Sequence, residues 1–211
     1  MTLKKKLLEK SRLYLILDKK VLSKRPFIKT VQLAKDSGVD IIQLRDKESP
    51  KAEILKEAIR VSGQLRKSKT IFIVNDYPDI ARIADADGVH LGQADFSIKV
   101  TRRILGSNKI IGISCHNIKQ ALKAQDNGAD YIGIGPVFTT STKPQDKPVG
   151  IKLIWECQKK ISIPFFVLGG INTDNIHQVL SLGVNRCAIC SAILQARNIT
   201  TAISEFLQIL N

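Results

Sequence analysis

The sequence is poor in aromatic residues, and it lacks any long hydrophobic run. Phe, Trp and Tyr make up 5% of its 211 residues, which supplies few of the rings on which single-stranded nucleic acids stack. No stretch reaches the roughly 18 consecutive apolar residues that indicate a membrane-spanning helix. The apolar run from Leu13 to Leu17 is too short for a signal-peptide core, because Asp18 interrupts it. We therefore expect a soluble, cytoplasmic protein without a membrane partner.

Cysteine is scarce, with four residues in the second half of the chain. Cys187 and Cys190 have the C-x-x-C spacing that occurs in zinc and redox sites. They lie in an apolar stretch and no second pair matches them, so we interpret them as small buried residues. A chain of this length buries about 70% of its unfolded surface, and it needs no disulfide or metal to fold.

Acidic residues are outnumbered, with 19 Asp and Glu against 33 Lys and Arg, which gives a net charge of +14. The corresponding pI near 9.8 fits a nucleic-acid-binding protein, and it also fits an enzyme of phosphorylated substrates. The lysines are spread along the chain, with one short cluster at Lys4 to Lys6. Charge alone therefore leaves both function classes open.

Short apolar runs alternate with amphipathic stretches along the whole chain, which predicts buried parallel strands separated by helices. The strand-like runs are Leu13–Leu17, Ile41–Arg45, Ile71–Asn75, Val89–Leu91, Ile110–Ser114, Tyr131–Gly135, Phe165–Leu168 and Cys187–Cys190. Eight units at about 26 residues each suit a small (β/α)₈ barrel, whereas an open doubly wound sheet would favour a G-x-G-x-x-G turn after its first strand. We predict an α/β fold, a single (β/α)₈ TIM barrel over residues 1–211. Residues 1–12 would be a basic extension or a short helix.

Capping signals mark where the helices begin and end. The expected starts are Ser49-Pro50, Asn117, and Asn172 or Thr173. The expected exits, each a glycine in left-handed conformation that leads into the next strand, are Gly38, Gly128, Gly183 and, as a fourth, Gly88.

Polar residues stand at the predicted strand ends, where the active sites of such barrels lie. Strand alternation directs Gln43 and Arg45 inward. Asp76 and Asp95 offer the oxygen ligands that Mg²⁺ prefers, while Arg45 and Lys143 supply cations for phosphates. Metal and cations at one mouth suggest a pyrophosphate. The alternative for Arg45 is an internal Arg–Asp pair that serves packing alone.

A second phosphate site is suggested by the turns after the last two strands, a frequent phosphate site of such barrels. Gly169-Gly170 follows the seventh strand, and Ser191 follows the eighth. A Gly-Gly pair by itself more often marks a turn than a ligand site. It is the turn at Ser191 on the neighbouring strand that favours a phosphate site here.

Seven strings at these positions, in order, resemble the thiamine-phosphate synthase family, and the match runs from about Leu13 to the C-terminus. The strings are Gln43-Leu-Arg-Asp-Lys47, Val74-Asn-Asp76, Gly88-Val-His-Leu-Gly-Gln-Ala-Asp95, Gly112-Ile-Ser-Cys-His116, Gly133-Ile-Gly-Pro-Val-Phe138, Thr140-Ser-Thr-Lys143 and Gly169-Gly-Ile-Asn172. Two departures stand out. The family usually has Pro where Thr139 stands, and Val is common at Cys190. Backbone contacts would survive both.

The resemblance implies a barrel that joins a hydroxymethylpyrimidine pyrophosphate to a thiazole phosphate, giving thiamine phosphate and pyrophosphate. It implies pyrimidine-substrate contacts by Gln43, Leu44, Arg45, Asp46, Lys47, Asn75, Ser114 and Lys143. It implies thiazole-phosphate contacts by Thr140, Ser141, Thr142, Gly170, Cys190 and Ser191. Asp76 and Asp95 would hold the cofactor Mg²⁺, and the catalytic residues would be Arg45, Lys47, Ser114 and Lys143. A homo-oligomer is compatible with this assignment.

The implied mechanism is dissociative, since an aminopyrimidine stabilises a methylene cation once pyrophosphate leaves, and the thiazole nitrogen attacks that cation. The nearest rival is the thiazole tautomerase on the same barrel, which places a histidine where His116 stands. It does not need the paired acids or the pyrophosphate-binding cations. A rival from another class, a basic nucleic-acid-binding protein, leaves the inward Asp76 and Asp95 unexplained, because acids repel phosphate backbones. We expect His90 to be a hydrogen-bonded core residue and His177 to lie at the surface.

Overall fold

Eight parallel strands form a closed barrel in sequence order in the computed structural model, which describes residues 2–23, 25–140 and 147–211. The strands are β1 Leu13–Asp18, β2 Ile41–Arg45, β3 Ile71–Asn75, β4 Gly88–Leu91, β5 Ile110–Cys115, β6 Tyr131–Ile134, β7 Phe165–Leu168 and β8 Cys187–Ile189. Every strand pairs in parallel with its two neighbours, and β8 closes on β1. The predicted (β/α)₈ barrel is confirmed, and each strand lies within one residue of its predicted bounds.

Helices lie between consecutive strands and follow the last one, and a further short helix precedes β1. They are α1 Leu3–Leu8, α2 Lys19–Leu22, α3 Phe27–Asp36, α4 Lys51–Leu65, α5 Pro78–Ile83, α6 Ile98–Leu105, α7 Ile118–Asp126, α8 Ile151–Lys160, α9 Ile176–Leu180, α10 Ser191–Leu194 and α11 Ile199–Leu210. Within the described ranges, none is long and apolar enough to cross a membrane.

Two apolar layers hold the barrel together, because the strands are buried on both faces. The inner layer fills the barrel with Tyr14, Tyr131, Phe166 and isoleucines such as Ile73. The outer layer joins the opposite strand faces to the helices and includes Leu44. This division is the alternation that the sequence predicted, and it leaves the inward side chains at the strand ends facing the mouth.

Three of the four predicted glycine exits are confirmed. Gly38, Gly128 and Gly183 have φ of +88°, +84° and +78°, the left-handed region that glycine enters without steric cost. The fourth, Gly88, is wrong, because it begins β4, and Asp85 takes the left-handed position with φ of +53°. Gly88 is needed for another reason, since a Cβ there would lie 2.1 Å from the carbonyl oxygen of Ile110 on the neighbouring strand.

One of the predicted helix starts is confirmed. The Asn117 side chain accepts from the backbone N–H of Gln120 at the start of α7. Ser49 does not cap α4, which begins after Pro50 without a side-chain cap. Asn172 and Thr173 precede α9 by several residues, and the Asn172 side chain instead accepts N–H groups within the preceding turn.

The base of the barrel, at the N-terminal ends of the strands, is closed by α1. Lys4 and Lys5 on this helix pair with Asp87 and Asp130, at 3.1 and 2.7 Å. These two acids also accept backbone N–H groups at the start of the preceding strands. Leu8 is 2% exposed and belongs to the inner layer. The helix therefore seals the end of the barrel opposite the mouth.

The C-terminus is fastened to the same base. The guanidinium of Arg12 donates to the carbonyl oxygens of Leu210 and Asn211, at 3.0 and 3.1 Å. The helix α11, which ends there, packs against β1 and α3. Both ends of the described chain thus lie at the base.

Shortening Leu8 should destabilise the protein, because it leaves a cavity between α1 and the inner layer. We expect Leu8→Ala to lower the free energy of unfolding by about 2–3 kcal/mol, measured by urea denaturation. The matched control is Leu3→Ala on the same helix, where the side chain is 71% exposed and the change should be near zero. Equal effects of the two substitutions would contradict a sealing role for α1.

Candidate active site at the barrel mouth

The C-terminal ends of the strands surround an open pocket. Side chains from β2, β3 and β5 line it, among them Gln43, Asn75 and Ser114. Gly133 and Gly135 on β6 and the following loop line it as well. A Cβ at these positions would lie 2.8 Å from the Leu168 side chain and 2.2 Å from the Leu168 carbonyl oxygen, so both glycines are required by close packing against β7. The inward polar residues thus converge on one cavity.

Arg45 at the end of β2 has a buried partner. Its guanidinium donates to the carboxylate of Asp18, which ends β1 and is 3% exposed in its side chain. The other carboxylate oxygen of Asp18 accepts N–H groups of Lys20 and Val21 at the start of α2. Asp18 therefore fixes both the helix and the guanidinium. Arg45 remains 17% exposed in its side chain and lines the pocket.

Two acids meet at the neighbouring edge of the mouth. Asp76 follows β3 in a left-handed conformation, with φ of +66°, and its carboxylate pairs with the ammonium of Lys47. Burial raises the pKa of Asp76; Lys47 opposes this change, while the nearby carboxylate of Asp95 adds to it. Asp95 also accepts the N–H of Gly92 at 2.6 Å. The fold thus holds two carboxylates close together, and the backbone of one of them, Asp76, is in a strained conformation.

Asp46, another residue of the Gln43–Lys47 segment, stabilises the loop that follows β2. Asp46 is buried, and its carboxylate accepts N–H groups from Glu48 and Ser49 and pairs with Lys19 at 3.0 Å. Although burial acts in the opposite direction, these contacts lower the pKa of Asp46 to about 2. Leu44 lies in the outer layer, so only its backbone faces the mouth.

A chain of hydrogen bonds crosses the floor of the pocket. Gln43 contacts the hydroxyl of Tyr14 at 2.7 Å, and Tyr14 contacts the hydroxyl of Tyr131 at 2.9 Å. Tyr131 in turn contacts Nδ1 of His90 at 2.9 Å, and Nε2 of His90 contacts the Ser114 hydroxyl at 2.8 Å. We call these five residues the floor chain. The prediction of His90 as a hydrogen-bonded core residue is confirmed.

The turns after β7 and β8 form a second, more open part of the mouth. Gly170 has φ of +66°, and a Cβ there would lie 2.3 Å from the carbonyl oxygen of Thr139. Ser191 begins α10, so its N–H and the next one have no acceptor within the helix. Thr140, Gly170 and Ser191 line both this part and the main pocket. Cys187 is buried, as predicted, whereas the same prediction is wrong for Cys190, which is only partly buried and lines the main pocket.

Three of the predicted residues, Ser141, Thr142 and Lys143, lie outside the described residues. His116 is described. Its Nδ1 donates to the carbonyl oxygen of Gly135 at 2.6 Å, which orients the ring at the wall of the pocket. His177 is exposed on α9, as predicted.

Asp18, Tyr14 and Tyr131 belong to the site but were not predicted from the sequence. The signal was available for Asp18, because the alternation that directs Gln43 and Arg45 inward also directs Tyr14 and Asp18 inward on β1. Ending the first strand at Leu17 removed Asp18 from that row. Tyr131 begins β6 and crosses the barrel beneath Gly112, where a Cβ would lie 2.1 Å from its ring.

Comparison with known proteins gives a consistent result. A family model described as thiamine monophosphate synthase matches residues 13–193. A thiamine-phosphate synthase of Clostridioides difficile is 40% identical over 195 residues, which cover 92% of this chain and 93% of that protein. One of Halalkalibacterium halodurans is 42% identical over 200 residues, covering 94% and 95%.

Solved structures agree with the sequence relatives. Thiamine phosphate pyrophosphorylase from Pyrococcus furiosus has a TM-score of 0.87 and 34% identity, with 97% of both chains covered. A 3-hexulose-6-phosphate synthase has a TM-score of 0.67 at 20% identity, with 92% of this chain and 97% of that one covered. The second likeness concerns the barrel fold alone.

Proposed function

The chain belongs to the thiamine monophosphate synthase family, and we propose that the two parts of its barrel mouth bind the two phosphorylated substrates. Its activity is the transferase reaction of that family, which joins a pyrimidine pyrophosphate to a thiazole phosphate. One observation carries the assignment of the pyrophosphate: the cations Arg45 and Lys47 lie at the same edge as the facing acids Asp76 and Asp95.

The acid pair fits a magnesium ion. Asp76 is partly buried and lies near the exposed Asp95, and two neighbouring carboxylates repel each other unless a cation lies against them. Within the described ranges, no group of three or more His, Cys, Asp or Glu residues is placed to bind a metal. Mg²⁺ is commonly held by one or two carboxylates plus substrate phosphates, which suits this pair. When bound, Mg²⁺ would neutralise charge on the pyrophosphate.

The side chains of the mouth would serve departure of the pyrophosphate. Arg45 is held in place by Asp18, so its guanidinium is oriented before substrate arrives. Lys47 is 48% exposed in its side chain and is free to move from Asp76 to a phosphate when a metal replaces it. Charge grows on the leaving oxygen as the C–O bond breaks, and cations fixed nearby stabilise that charge. We propose the same role for Lys143.

The thiazole phosphate is assigned to the open part of the mouth. Gly170 lets the backbone approach closely, because any side chain there would strike the preceding loop. The first N–H groups of α10 offer donors to an anion, together with the hydroxyls of Ser191 and Thr140. Contacts of Ser141 and Thr142, which directly follow Thr140 in the sequence, are proposed for the same phosphate. No protein nucleophile is needed, because the thiazole nitrogen attacks the pyrimidine cation directly.

Neither alternative function gains support. The tautomerase assignment rested on His116, and that ring donates to the Gly135 carbonyl. A nucleic-acid-binding protein would leave the paired acids of the mouth without a purpose. Cytoplasmic location, homo-oligomer formation and a single domain over the whole chain stay predictions. The direct test incubates the protein with both substrates and Mg²⁺ and assays thiamine phosphate; no product under these conditions would overturn the assignment.

Removing the Ser191 hydroxyl should weaken binding of the thiazole phosphate alone. That phosphate keeps its charge during the reaction, so its contacts act equally in the ground and transition states. We expect Ser191→Ala to raise the thiazole KM about fivefold, the equivalent of one hydrogen bond, with kcat nearly unchanged. Ser204→Ala on the exposed face of α11 is the matched control. A rise in the pyrimidine KM instead would reverse the placement of the two phosphates.

A further inference from the structure

The floor chain has a direction that follows from which atoms carry hydrogens. The Gln43 amide nitrogen faces the Tyr14 oxygen, and an amide nitrogen only donates. Tyr14 has one hydrogen, and its neighbouring acceptor is the Tyr131 oxygen. Tyr131 therefore directs its own hydrogen to Nδ1 of His90. The neutral His90 ring then carries its hydrogen on Nε2 and donates to Ser114.

Both hydroxyls in the middle of the floor chain remain protonated. Burial raises the pKa of Tyr14, and it also raises the pKa of Tyr131, where the neighbouring Tyr14 adds to the effect. Each hydroxyl then has a single hydrogen to donate and must accept from one neighbour and donate to the other. With the Gln43 nitrogen facing Tyr14, the chain runs from Gln43 to Ser114, and the reverse arrangement would require the amide to turn so that its oxygen faces Tyr14. A change in the direction of donation at Gln43 would therefore also reverse the direction of donation at Ser114.

We propose that Tyr14, Tyr131 and His90 are positioning residues that fix a hydrogen-bond acceptor at Gln43 and a donor at Ser114. With its nitrogen engaged, Gln43 presents Oε1 to the pocket. With its oxygen accepting from His90, Ser114 is left with its own hydrogen to donate. Together, the acceptor at Gln43 and the donor at Ser114 favour binding of a heteroaromatic ring that carries a donor amine and an acceptor ring nitrogen. This last step rests on the proposed function, because an aminopyrimidine has that pattern.

The direction of the floor chain is measurable without activity. In the full chain labelled with ¹⁵N-histidine, the ring nitrogen shifts distinguish the two neutral tautomers, and His90→Gln identifies the His90 signals. We expect a single tautomer with hydrogen on Nε2. Tyr14→Phe removes one link that does not touch His90, so Tyr131 gains freedom to accept and both tautomers should appear. Tyr77→Phe, outside the floor chain, should change nothing. Hydrogen on Nδ1 in the unaltered protein, or an unchanged single tautomer in Tyr14→Phe, would overturn the proposal.

The consequence for substrate is tested by steady-state kinetics of the same variants. We expect Tyr14→Phe to raise the pyrimidine KM about tenfold, as for one neutral hydrogen bond misdirected at the substrate, with the thiazole KM unchanged. Equal rises in both KM values would indicate a general loosening of the mouth and would overturn the positioning role. If the unaltered protein formed no thiamine phosphate, the proposed function would be wrong. The tautomer experiment would still test the direction of the floor chain, because it does not depend on activity.

Discussion

Replacing Asp76 by Asn is expected to lower kcat/KM by a factor of about 10³, since a metal-bound pyrophosphate contributes several kcal/mol of charge stabilisation. Isothermal titration should show that Mg²⁺ binding is lost together with activity, and EDTA should abolish turnover of the unaltered protein until Mg²⁺ is restored. Asp79→Asn is the matched control, because that acid lies three residues away and is 54% exposed in its side chain. Full turnover of Asp76→Asn in EDTA would contradict the metal site.

The same substitution should stabilise the metal-free protein. Asn tolerates the left-handed backbone at position 76 better than most residues. The raised pKa of Asp76, caused first by burial, means that its ionised form costs free energy in the fold. Stability therefore falls as pH rises above the ordinary carboxyl pKa, and the neutral amide avoids this loss. We expect the variant to be more stable than the unaltered protein at pH 7, with a smaller difference below the ordinary carboxyl pKa, measured by urea denaturation in EDTA. A loss of stability would show that the Lys47 pair outweighs burial.

Replacing Arg45 by Met is expected to lower kcat by a factor of about 10² to 10³, the usual loss when one fixed group that stabilises developing charge is removed. Arg66→Met, at an exposed position after α4, should leave kcat unchanged. The substitution at Arg45 also strips the buried Asp18 carboxylate of its cation. We expect the free energy of unfolding to fall by about 2 kcal/mol, which is less than for a fully buried pair because Arg45 is partly exposed.

The double variant Asp18→Asn with Arg45→Met separates packing from catalysis. Asn keeps an oxygen that accepts the N–H groups of α2 and removes the unpaired charge, so most of the lost stability should return. Activity should stay low, because the guanidinium that meets the pyrophosphate is still missing. Recovery of kcat in the double variant would make Arg45 a packing residue, the alternative that the sequence left open.

The fold was predictable from local pattern, because parallel strands buried on both faces form short continuous apolar runs, in which successive side chains point to opposite faces. That alternation also placed Gln43, Arg45 and Asn75 at the mouth. It was less informative where a residue serves a distant neighbour. Gly88 suggested a helix exit, yet its small size is required by a carbonyl on the next strand, a contact that the local sequence does not contain. Asp85 took the left-handed position instead, which Asp tolerates better than most residues that carry a side chain.

Side-chain partners were the least predictable part of the site. The sequence indicated that Arg45 needs a partner, and several acids could have supplied it. The register in which β1 pairs with β2 places Asp18 opposite Arg45. Likewise, the floor chain joins residues from β1, β2, β4, β5 and β6, and its continuity depends on barrel geometry that no single segment encodes.

The closed base has a practical consequence for changing this enzyme. Because α1 and the last residues of α11 both lie at the base, attachment through either end of the chain leaves the mouth facing solution. The ion pairs of Lys4 and Lys5 also lie at the opposite end of the strands from the reacting groups. Stability and chemistry are thereby assigned to opposite ends of one barrel, so substitutions at the base can compensate for costly ones at the mouth.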